Sequence, residues 1–228
     1  MARRNKLMKF AEMLDFPNVY QVFDPTQPVI LGNHGEIDLK GKWAQKHFNN
    51  NKPICLELAC GRGEYSLGLA RLFPDTNFIG LDVKGARIWK GATTALNEGL
   101  SNVAFLRTRI EIIEHLFAEE EISEIWITFP DPFIHKINRR LTSPNFLNRY
   151  KSLLQKEHTI HLKTDSIDLY EYTMEVMQSY PGINLMMNIA DIYSEPDIWE
   201  PLKIKTYYEY MHLKASKKIT YVRFSLAK

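Results

Sequence analysis

Short apolar runs alternate along the chain with stretches in which apolar positions recur every three or four residues. The first pattern is typical of buried strands and the second of amphipathic helices. Helical spacing follows each of the runs KPICLELAC, NFIGLDV, NVAFLRT, EIWITF and HTIHLKTD. Strands that alternate with helices predict a parallel sheet covered by helices on both faces, so the expected fold class is α/β.

The remaining segments complete the predicted order of elements. NKLMKFAEML predicts an N-terminal helix, EIIEHLFAEEE a helix, and ITYVRFSL a last strand, while residues 191–211 predict an irregular stretch. No internal repeat or interdomain linker is visible. We therefore expect one domain over residues 1–228, with a helical extension and connector over 1–45 and the core over 46–228.

Composition excludes several protein classes. The 228 residues are 45% hydrophobic and 25% charged, with a formal net charge of +2, as in ordinary globular domains. No apolar stretch is long enough to span a membrane, and Lys9, Glu12 and Asp15 interrupt the N-terminal segment. Cys55 and Cys60 lack zinc-type spacing and suggest free thiols. We expect a soluble cytoplasmic protein without a membrane or metal partner.

Charges are segregated despite the small net charge. Residues 111–124 hold six glutamates and no Lys or Arg, and residues 203–228 hold seven Lys or Arg against the single acid Glu209. Two other segments carry basic residues and no acid. Residues 3–9 contain Arg3, Arg4, Lys6 and Lys9. Residues 135–151 contain Lys136, Arg139, Arg140, Arg149 and Lys151. If the basic segments share a face, they form a footprint for a polyanion; otherwise they are scattered, solvated side chains.

The segment LELACGRGEY predicts a strand, a tight turn and a helix. Gly61 and Gly63 allow a ligand to approach the turn closely, and Asp82 ends the next strand, where a carboxylate can bind the hydroxyls of an adenosine ribose. A dinucleotide-binding site usually has the pattern GxGxxG, with a third small residue three positions after the second glycine. In this chain Ser66 occupies that third position. Glu57 lies inside an apolar strand and needs a partner there, either the ammonium of S-adenosylmethionine or an internal Lys or Arg.

The segment TFPDPFIHKINRR is the most unusual in the sequence. Pro130 and Pro132 should push Phe129 and Asp131 into extended geometry, which fixes the Asp131 carboxylate at the crevice. The ring of Phe133 can stack on a base, and the bases that follow, Lys136, Arg139 and Arg140, suit phosphates. We interpret this segment as a nucleic-acid site; the alternative is a structural turn before a solvated basic helix.

Other strand ends are less informative. Asp165 ends the fifth strand and is either a site residue or a helix N-cap. Thr206 and Glu209 lie in a segment that could fold back over the crevice. The sequence contains no GxxxxGK[ST], GxSxG or HExxH motif, and its seven histidines are not grouped as metal ligands.

From about residue 30 to its end, the chain resembles the bacterial tRNA (guanine-N7)-methyltransferase family in the order and spacing of LELACGRGEY, GLDV, TFPDPFIHKINRR, LKTD and TYYE. The resemblance implies a Rossmann-like class I methyltransferase fold with a mostly parallel seven-stranded sheet. It also implies S-adenosyl-L-methionine as cofactor and N7-methylation of the guanine at position 46, in the variable loop of tRNA. The alternatives are an RNA-binding module with a vestigial cofactor pocket, or a methyltransferase for another substrate.

The resemblance also implies roles for matching residues. Glu57 and the Gly61–Gly63 loop would hold the methionine part of the cofactor, Asp82 the ribose, and Asp131 would be the catalytic-site acid. The guanosine contacts would come from His135 or Lys136, Asp165, Thr206 and Glu209. Arg139 and Arg140 would bind the tRNA.

The chain departs from the family pattern at three positions. Ala59 stands in the cofactor loop where the family usually has Gly, and Phe133 stands where it has Trp. Arg109 stands at the adenine end of the cofactor site, where the family commonly has an acid or amide, so backbone groups around Ile110 would hold adenine instead. The resemblance leaves open whether the protein is a monomer or a homodimer.

Overall fold

The structure is a computed structural model that describes residues 5–228; the predictions for Arg3 and Arg4 lie outside the described residues. The strands are β1 (Val19–Gln21), β2 (Leu31–Gly32), β3 (Gly35–Glu36), β4 (Ile54–Leu58), β5 (Asn77–Asp82), β6 (Val103–Arg107), β7 (Ile122–Thr128), β8 (Leu154–Thr164), β9 (Ile183–Ile189) and β10 (Thr220–Leu226). The α-helices are α1 (Lys6–Leu14), α2 (Glu64–Leu72), α3 (Gly85–Glu98), α4 (Pro144–Leu153), α5 (Ile167–Ser179) and α6 (Tyr207–Lys214).

All the strands described between residues 5 and 228 form one sheet, in the order β3-β2-β1-β6-β5-β4-β7-β8-β10-β9. The five neighbouring strands β6, β5, β4, β7 and β8 run parallel to one another. They are followed in the sheet by β10, which pairs antiparallel with both β8 and β9. These seven strands confirm the predicted α/β class and the mostly parallel core. The sheet is nevertheless ten-stranded, because the N-terminal segment adds β1, parallel to β6, and the antiparallel strands β2 and β3.

The sheet separates two apolar layers. On β4, Ile54, Leu56 and Leu58 pack into one layer and Cys55 into the other, as the two-residue period of a strand requires. Both cysteines are free and buried. The helix α1 packs against α3 on the side of Cys55. Within residues 5–228, no helix is both long and apolar enough to cross a membrane.

Two predicted elements differ from the structure. The helix expected over EIIEHLFAEEE is a short 3₁₀ segment at Ile110–His115. The acidic run beyond it is a turn, in which the Glu121 carboxylate accepts from the backbone N–H groups of Gly41, Trp43 and Ala118. The stretch 191–211, expected to be irregular, contains the start of α6, which Thr206 caps by accepting from the N–H of Glu209 at 3.1 Å.

The site is positioned by the change of direction at β4. The chain continues from β4 to β5 on one side and reaches β7 on the other, so the carboxyl ends of these parallel strands open onto one crevice. The segments that leave this edge begin at Ala59, Val83, Phe129 and Asp165. The residue types singled out in the sequence therefore meet at a single edge.

Candidate active site

The loop between β4 and α2 is built from left-handed backbone. Ala59, Gly61 and Gly63 have φ values of 60°, 57° and 68°. A Cβ on Gly63 would lie 2.3 Å from the ring of Phe105, so only glycine fits there, whereas Gly61 has open space around it. Ala59 adopts the same left-handed geometry despite its side chain. The loop therefore keeps its tight course even where alanine stands for the usual glycine.

Asp82 at the end of β5 is held in one orientation by the backbone. Its two carboxylate oxygens accept from the N–H groups of Gly61 and Lys84, each at 2.8 Å. The residue is 7% exposed, yet it lines a cavity of about 270 Å³. Each oxygen retains a lone pair for a ligand hydroxyl. This geometry suits the ribose contact predicted for Asp82.

Glu57 is buried and has no cationic partner among residues 5–228. One carboxylate oxygen accepts from the N–H and hydroxyl of Ser66, and the other accepts from the Thr128 hydroxyl at 2.6 Å. Burial raises the pKa of Glu57 to about 7, although these hydrogen bonds lower it in part. The alternative of an internal Lys or Arg partner is therefore wrong for the residues that the structure describes, because neutral donors satisfy the carboxylate. Its contact with the methionine part of the cofactor stays a prediction.

The adenine end of the cavity differs from the predicted arrangement. Arg109 does not line the 270 Å³ cavity; it is exposed and lines a neighbouring cavity of about 160 Å³. Ile110 and Glu111 line the 270 Å³ cavity instead. Arg109 is therefore wrong as a cofactor-cavity residue, because the chain turns at Ile110. Sequence reasoning missed Glu111 as a cavity residue. The available signal was that Glu111 is an acid two residues after Arg109, the position at which the family commonly has an acid or amide.

The segment after β7 is strained at Phe129. Its φ of 47° is left-handed, so the predicted extended geometry is wrong at this residue. The N–H of Phe129 donates to the carbonyl of Lys163 at 2.9 Å, which fixes the turn from the β8 side. Non-glycine residues in this region of φ cost about 1 kcal/mol or more and are concentrated at functional sites. The turn carries Asp131 into the crevice.

Asp131 stands where two spaces meet. It is exposed, and its carboxylate accepts from the N–H of Phe133 at 3.1 Å. It lines both the 270 Å³ cavity and a second cleft of about 870 Å³. The strand end therefore presents one carboxylate to two adjoining binding spaces.

The basic residues after Asp131 separate into exposed and buried groups. His135, Lys136 and Arg139 are exposed, and only Arg139 among them lines the 270 Å³ cavity. Arg140 is 5% exposed; its guanidinium donates to the carbonyls of Pro132 and Asp168 and lies 4.6 Å from the ring centroid of Tyr172. The prediction that Arg140 binds tRNA is therefore wrong, because the guanidinium ties this segment to α5.

Asp165 lines the 870 Å³ cleft. Its carboxylate accepts from Lys217 Nζ at 2.6 Å and lies 3.2 Å from His212 Nδ1. The alternative role as N-cap of α5 is wrong, because Ser166 caps that helix by accepting from the N–H of Leu169. Asp165 is thus a half-buried acid at the wall of the cleft.

Thr206 and Glu209 are buried and line neither space. Glu209 forms a fully buried ion pair with Lys163 at 2.8 Å and accepts from the Tyr193 hydroxyl at 2.7 Å. The ammonium of Lys163 also donates to the carbonyls of Leu202 and Ile204. In this geometry Thr206 and Glu209 do not reach a guanosine in either space. They instead fix the start of α6.

Sequence reasoning also missed two basic residues at the crevice, Lys84 and Arg87. Lys84 and Arg87 line both spaces, and Tyr208 lines the larger cleft with the Arg87 guanidinium 5.3 Å from its ring centroid. The available signal was the segment VKGAR, which directly follows the strand-terminal Asp82. Lys84, Arg87 and Arg139 give the crevice a positive rim.

The chemistry of the cavity fits S-adenosylmethionine. Ala59 of the left-handed loop lines the cavity, Gly61 has open space beside it, and Asp82 presents preoriented acceptors for ribose hydroxyls. Val83 and Ile110 add apolar surface beside these groups, as a purine requires. No group of three or more His, Cys, Asp or Glu in residues 5–228 is arranged to hold a metal ion.

Comparison with solved structures shows the fold. The crystal structure of the 16S rRNA methyltransferase KamB superposes with a TM-score of 0.66 at 13% sequence identity, over 85% of this chain and 96% of that one. A second solved structure, of an antibiotic-related methyltransferase, has a TM-score of 0.61 at 17% identity over 91% of this chain and all of that one. Both are class I methyltransferase folds, in agreement with the predicted architecture.

Comparison with curated sequences shows the family. Residues 51–222 match the family described as "Putative methyltransferase". The tRNA (guanine-N(7)-)-methyltransferase of Christiangramia forsetii is 48% identical over 99% of this chain and its own full length. That of Bacteroides fragilis is 47% identical over 98% of this chain and 86% of its own. Because identity at this level extends over nearly the whole of both chains, the chain belongs to the tRNA (guanine-N7)-methyltransferase family.

Proposed function

We propose that this protein transfers the methyl group of S-adenosyl-L-methionine to N7 of a guanine in tRNA, at position 46 of the variable loop. The observation that carries the proposal is the position of Asp131, which lines both the cofactor-sized cavity and the larger cleft. A methyl donor in one space and a guanine in the other would meet beside this carboxylate. The names of the curated relatives specify the same base and the same atom.

The cofactor residues act by holding and orienting. Asp82 would accept from the ribose hydroxyls, the loop at Gly61–Gly63 would face the methionine part, and Val83 and Ile110 would enclose adenine. We assign Glu111, whose side chain has no hydrogen-bond or ion-pair partner among residues 5–228, to the adenine amino group. When bound, S-adenosylmethionine supplies an electrophilic methyl group.

Asp131 orients guanine and offsets charge. Guanine N7 has an available lone pair, so no residue needs to remove a proton before the methyl group is transferred. The carboxylate of Asp131 can accept from guanine N1–H and the amino group, and its negative charge opposes the positive charge that develops on the ring. Alignment of two bound reactants contributes at most about 7 to 11 kcal/mol. The chemistry is therefore compatible with a site that has no catalytic Cys or His.

The positive rim would bind the phosphates next to the target guanine. Lys84, Arg87 and Arg139 line the crevice, and Lys217 and Lys218 line the far wall of the 870 Å³ cleft. Exposed His135 and Lys136 lie beyond this rim, where they can reach the same RNA. We expect the protein to act in the cytoplasm, where its tRNA substrate is found, as a monomer or a homodimer.

The proposal is tested by methyl transfer from labelled S-adenosylmethionine to unmodified tRNA transcripts. One transcript carries guanine at position 46 and its control carries adenine there. We expect transfer to the first alone, with label recovered as N7-methylguanine. Tight tRNA binding without transfer would favour the RNA-binding module, and transfer to neither transcript without tRNA binding would favour another methyl acceptor.

A further inference from the structure

A second pair of cavities lies beside the cofactor site, around Phe23 and Arg107. One, of about 160 Å³, is lined by Val22, Phe23 and Arg109; the other, of about 340 Å³, is lined by Phe10 and Leu14. Phe23 and Arg107 line both, and Val83 connects the first to the cofactor cavity. This surface, which we call the Phe23 platform and define by Phe23, Arg107 and Arg109, is therefore continuous with the active-site edge.

The Phe23 platform has the composition of a nucleotide site. The Phe23 side chain is 57% exposed, although aromatic rings are usually buried. The Arg107 guanidinium lies between two rings, 4.7 Å from the centroid of Phe10 and 5.6 Å from that of Phe23. Aromatic rings beside arginines are the typical means by which proteins bind unpaired bases without sequence preference.

The platform is held in place by the surrounding structure. Arg107 Nη1 donates to the Gln21 side chain at 3.1 Å, and the carbonyl of Arg107 accepts from the N–H of Val22 at 2.9 Å. A Cβ on Gly85 would lie 3.1 Å from Arg107 Cδ, so α3 packs closely under the arginine. The guanidinium is therefore fixed before any ligand arrives.

The charge of the platform favours an anion. Among the described residues, neither cavity is lined by an Asp or Glu. The neighbouring acid, Asp24, is directed into its own turn, where its carboxylate accepts from the N–H and the hydroxyl of Thr26. On α1, Lys6 and Lys9 lie over the rings of Phe10 and Trp89 and add positive charge to this side.

We propose that the Phe23 platform is a second nucleotide-binding site for the tRNA substrate, in which Phe23 stacks on an unpaired base and Arg109 binds its phosphate. This inference rests on the proposed function for the identity of the RNA. Positive charge together with an exposed ring favours RNA over a second copy of this chain, whose docking would need a larger apolar area. Because the platform lies outside the cofactor cavity, it contributes to tRNA binding alone.

Three variants test the platform. Phe23→Leu keeps an apolar side chain but removes the ring, Phe23→Tyr keeps the ring, and Arg109→Gln removes the charge. Phe73→Leu and Lys156→Gln are matched controls at exposed positions toward the opposite edge of the sheet, where Phe73 directly follows α2 and Lys156 is the third residue of β8. The readouts are tRNA affinity at several salt concentrations, the affinity for S-adenosylhomocysteine, and the steady-state kinetics of methyl transfer.

For Phe23→Leu we expect tRNA affinity to fall about tenfold and KM for tRNA to rise with kcat unchanged. Phe23→Tyr should retain wild-type affinity. Arg109→Gln should reduce the salt slope of binding by about 0.7 to 0.9. S-adenosylhomocysteine should bind all the variants as it binds the wild-type protein, and the two controls should behave as wild type.

Several results would overturn the platform. They are tRNA affinity within twofold of wild type for Phe23→Leu, equal losses in the controls, weaker S-adenosylhomocysteine binding, and a change of oligomeric state on light scattering. Absence of tRNA binding by the wild-type protein would also overturn it. Wild-type methyl transfer separately reports the proposed function, so tRNA binding that depends on Phe23 without transfer would sustain the platform and contradict the enzyme.

Discussion

The loop after β4 and the segment after β7 both turn through left-handed backbone at the same edge of the sheet, but they treat polar groups in opposite ways. Around residues 59–63, Glu57 and Asp82 accept hydrogen bonds from backbone and hydroxyl donors inside the protein. Around residues 129–139, Asp131 and Arg139 are exposed, and the nearest donor to Asp131 is a backbone N–H. The first region has its polar groups fixed in advance, which suits one small ligand of defined shape. The second region has exposed charged side chains, which suit a larger charged ligand.

The sharpest test of this contrast is removal of the exposed acid. We expect Asp131→Ala to lower kcat about 100- to 1000-fold, because the charge beside the developing guanine cation is lost, while S-adenosylhomocysteine binding stays intact. Single-turnover methyl transfer and calorimetry measure the two effects. The matched control is Asp168→Asn, another exposed acid of the same cleft. Near wild-type turnover in Asp131→Ala would contradict the assigned role.

The buried acid Glu57 should affect the pH dependence of the unfolding free energy, whereas the exposed acid Asp131 affects the reaction rate. The folded-state pKa of Glu57, about 7, lies above the ordinary value of 4.5, so the folded protein binds more protons than the unfolded chain between these values. The contribution of Glu57 to stability is therefore full below pH 4.5 and falls by roughly 2 to 3 kcal/mol as pH rises to 7. Urea unfolding at several pH values should show this decline in the wild type and not in Glu57→Gln. An identical pH dependence in both proteins would contradict the assignment.

The two loop glycines should differ in a paired substitution. Gly63→Ala places a Cβ against the Phe105 ring in addition to its left-handed φ, whereas Gly61→Ala meets open space. We expect Gly63→Ala to be less stable than Gly61→Ala by about 2 kcal/mol, the usual cost of overpacking. Chemical unfolding of both variants gives the difference. Equal stabilities would mean that Phe105 moves aside freely.

The smallest expected effects are those of substitutions at the adjacent residues Arg139 and Arg140. Arg140→Gln should cost about 1 to 2 kcal/mol of stability, because two carbonyl acceptors and the face of Tyr172 lose their partner. Arg139→Gln should leave the unfolding free energy unchanged but reduce the salt slope of tRNA binding by about 0.7 to 0.9. Thermal unfolding and salt-dependent binding separate the two effects. The reverse result would exchange the roles of the two residues.

The alternation of strands and helices was enough to predict the parallel core of the sheet, because its strands are short, mostly apolar runs such as that at Ile54–Leu58. Strands β1, β2 and β3 have only three, two and two residues, too few to leave a periodic signal. The resemblance implies seven strands, and these three bring the sheet to ten.

The site was predictable where chemistry follows a strand end, as at Asp82 and Asp131. It was not predictable where burial depends on a distant partner. Glu209 is expected at the guanosine, but it is buried against Lys163, which lies 46 residues earlier in the chain. Arg139 and Arg140 are the same residue type at neighbouring positions, and only the packing of α5 decides which one faces solvent.

The buried Lys163 has a practical consequence for following motion in this protein. Among the lysines of residues 5–228 it is the one whose side chain is buried, so the surrounding protein shields its amine from an acylating reagent. Its modification must wait until the segment over Leu202 and Ile204 lifts away. The rate at which Lys163 is acylated, followed by mass spectrometry, would therefore report how often the segment over Leu202 and Ile204 opens.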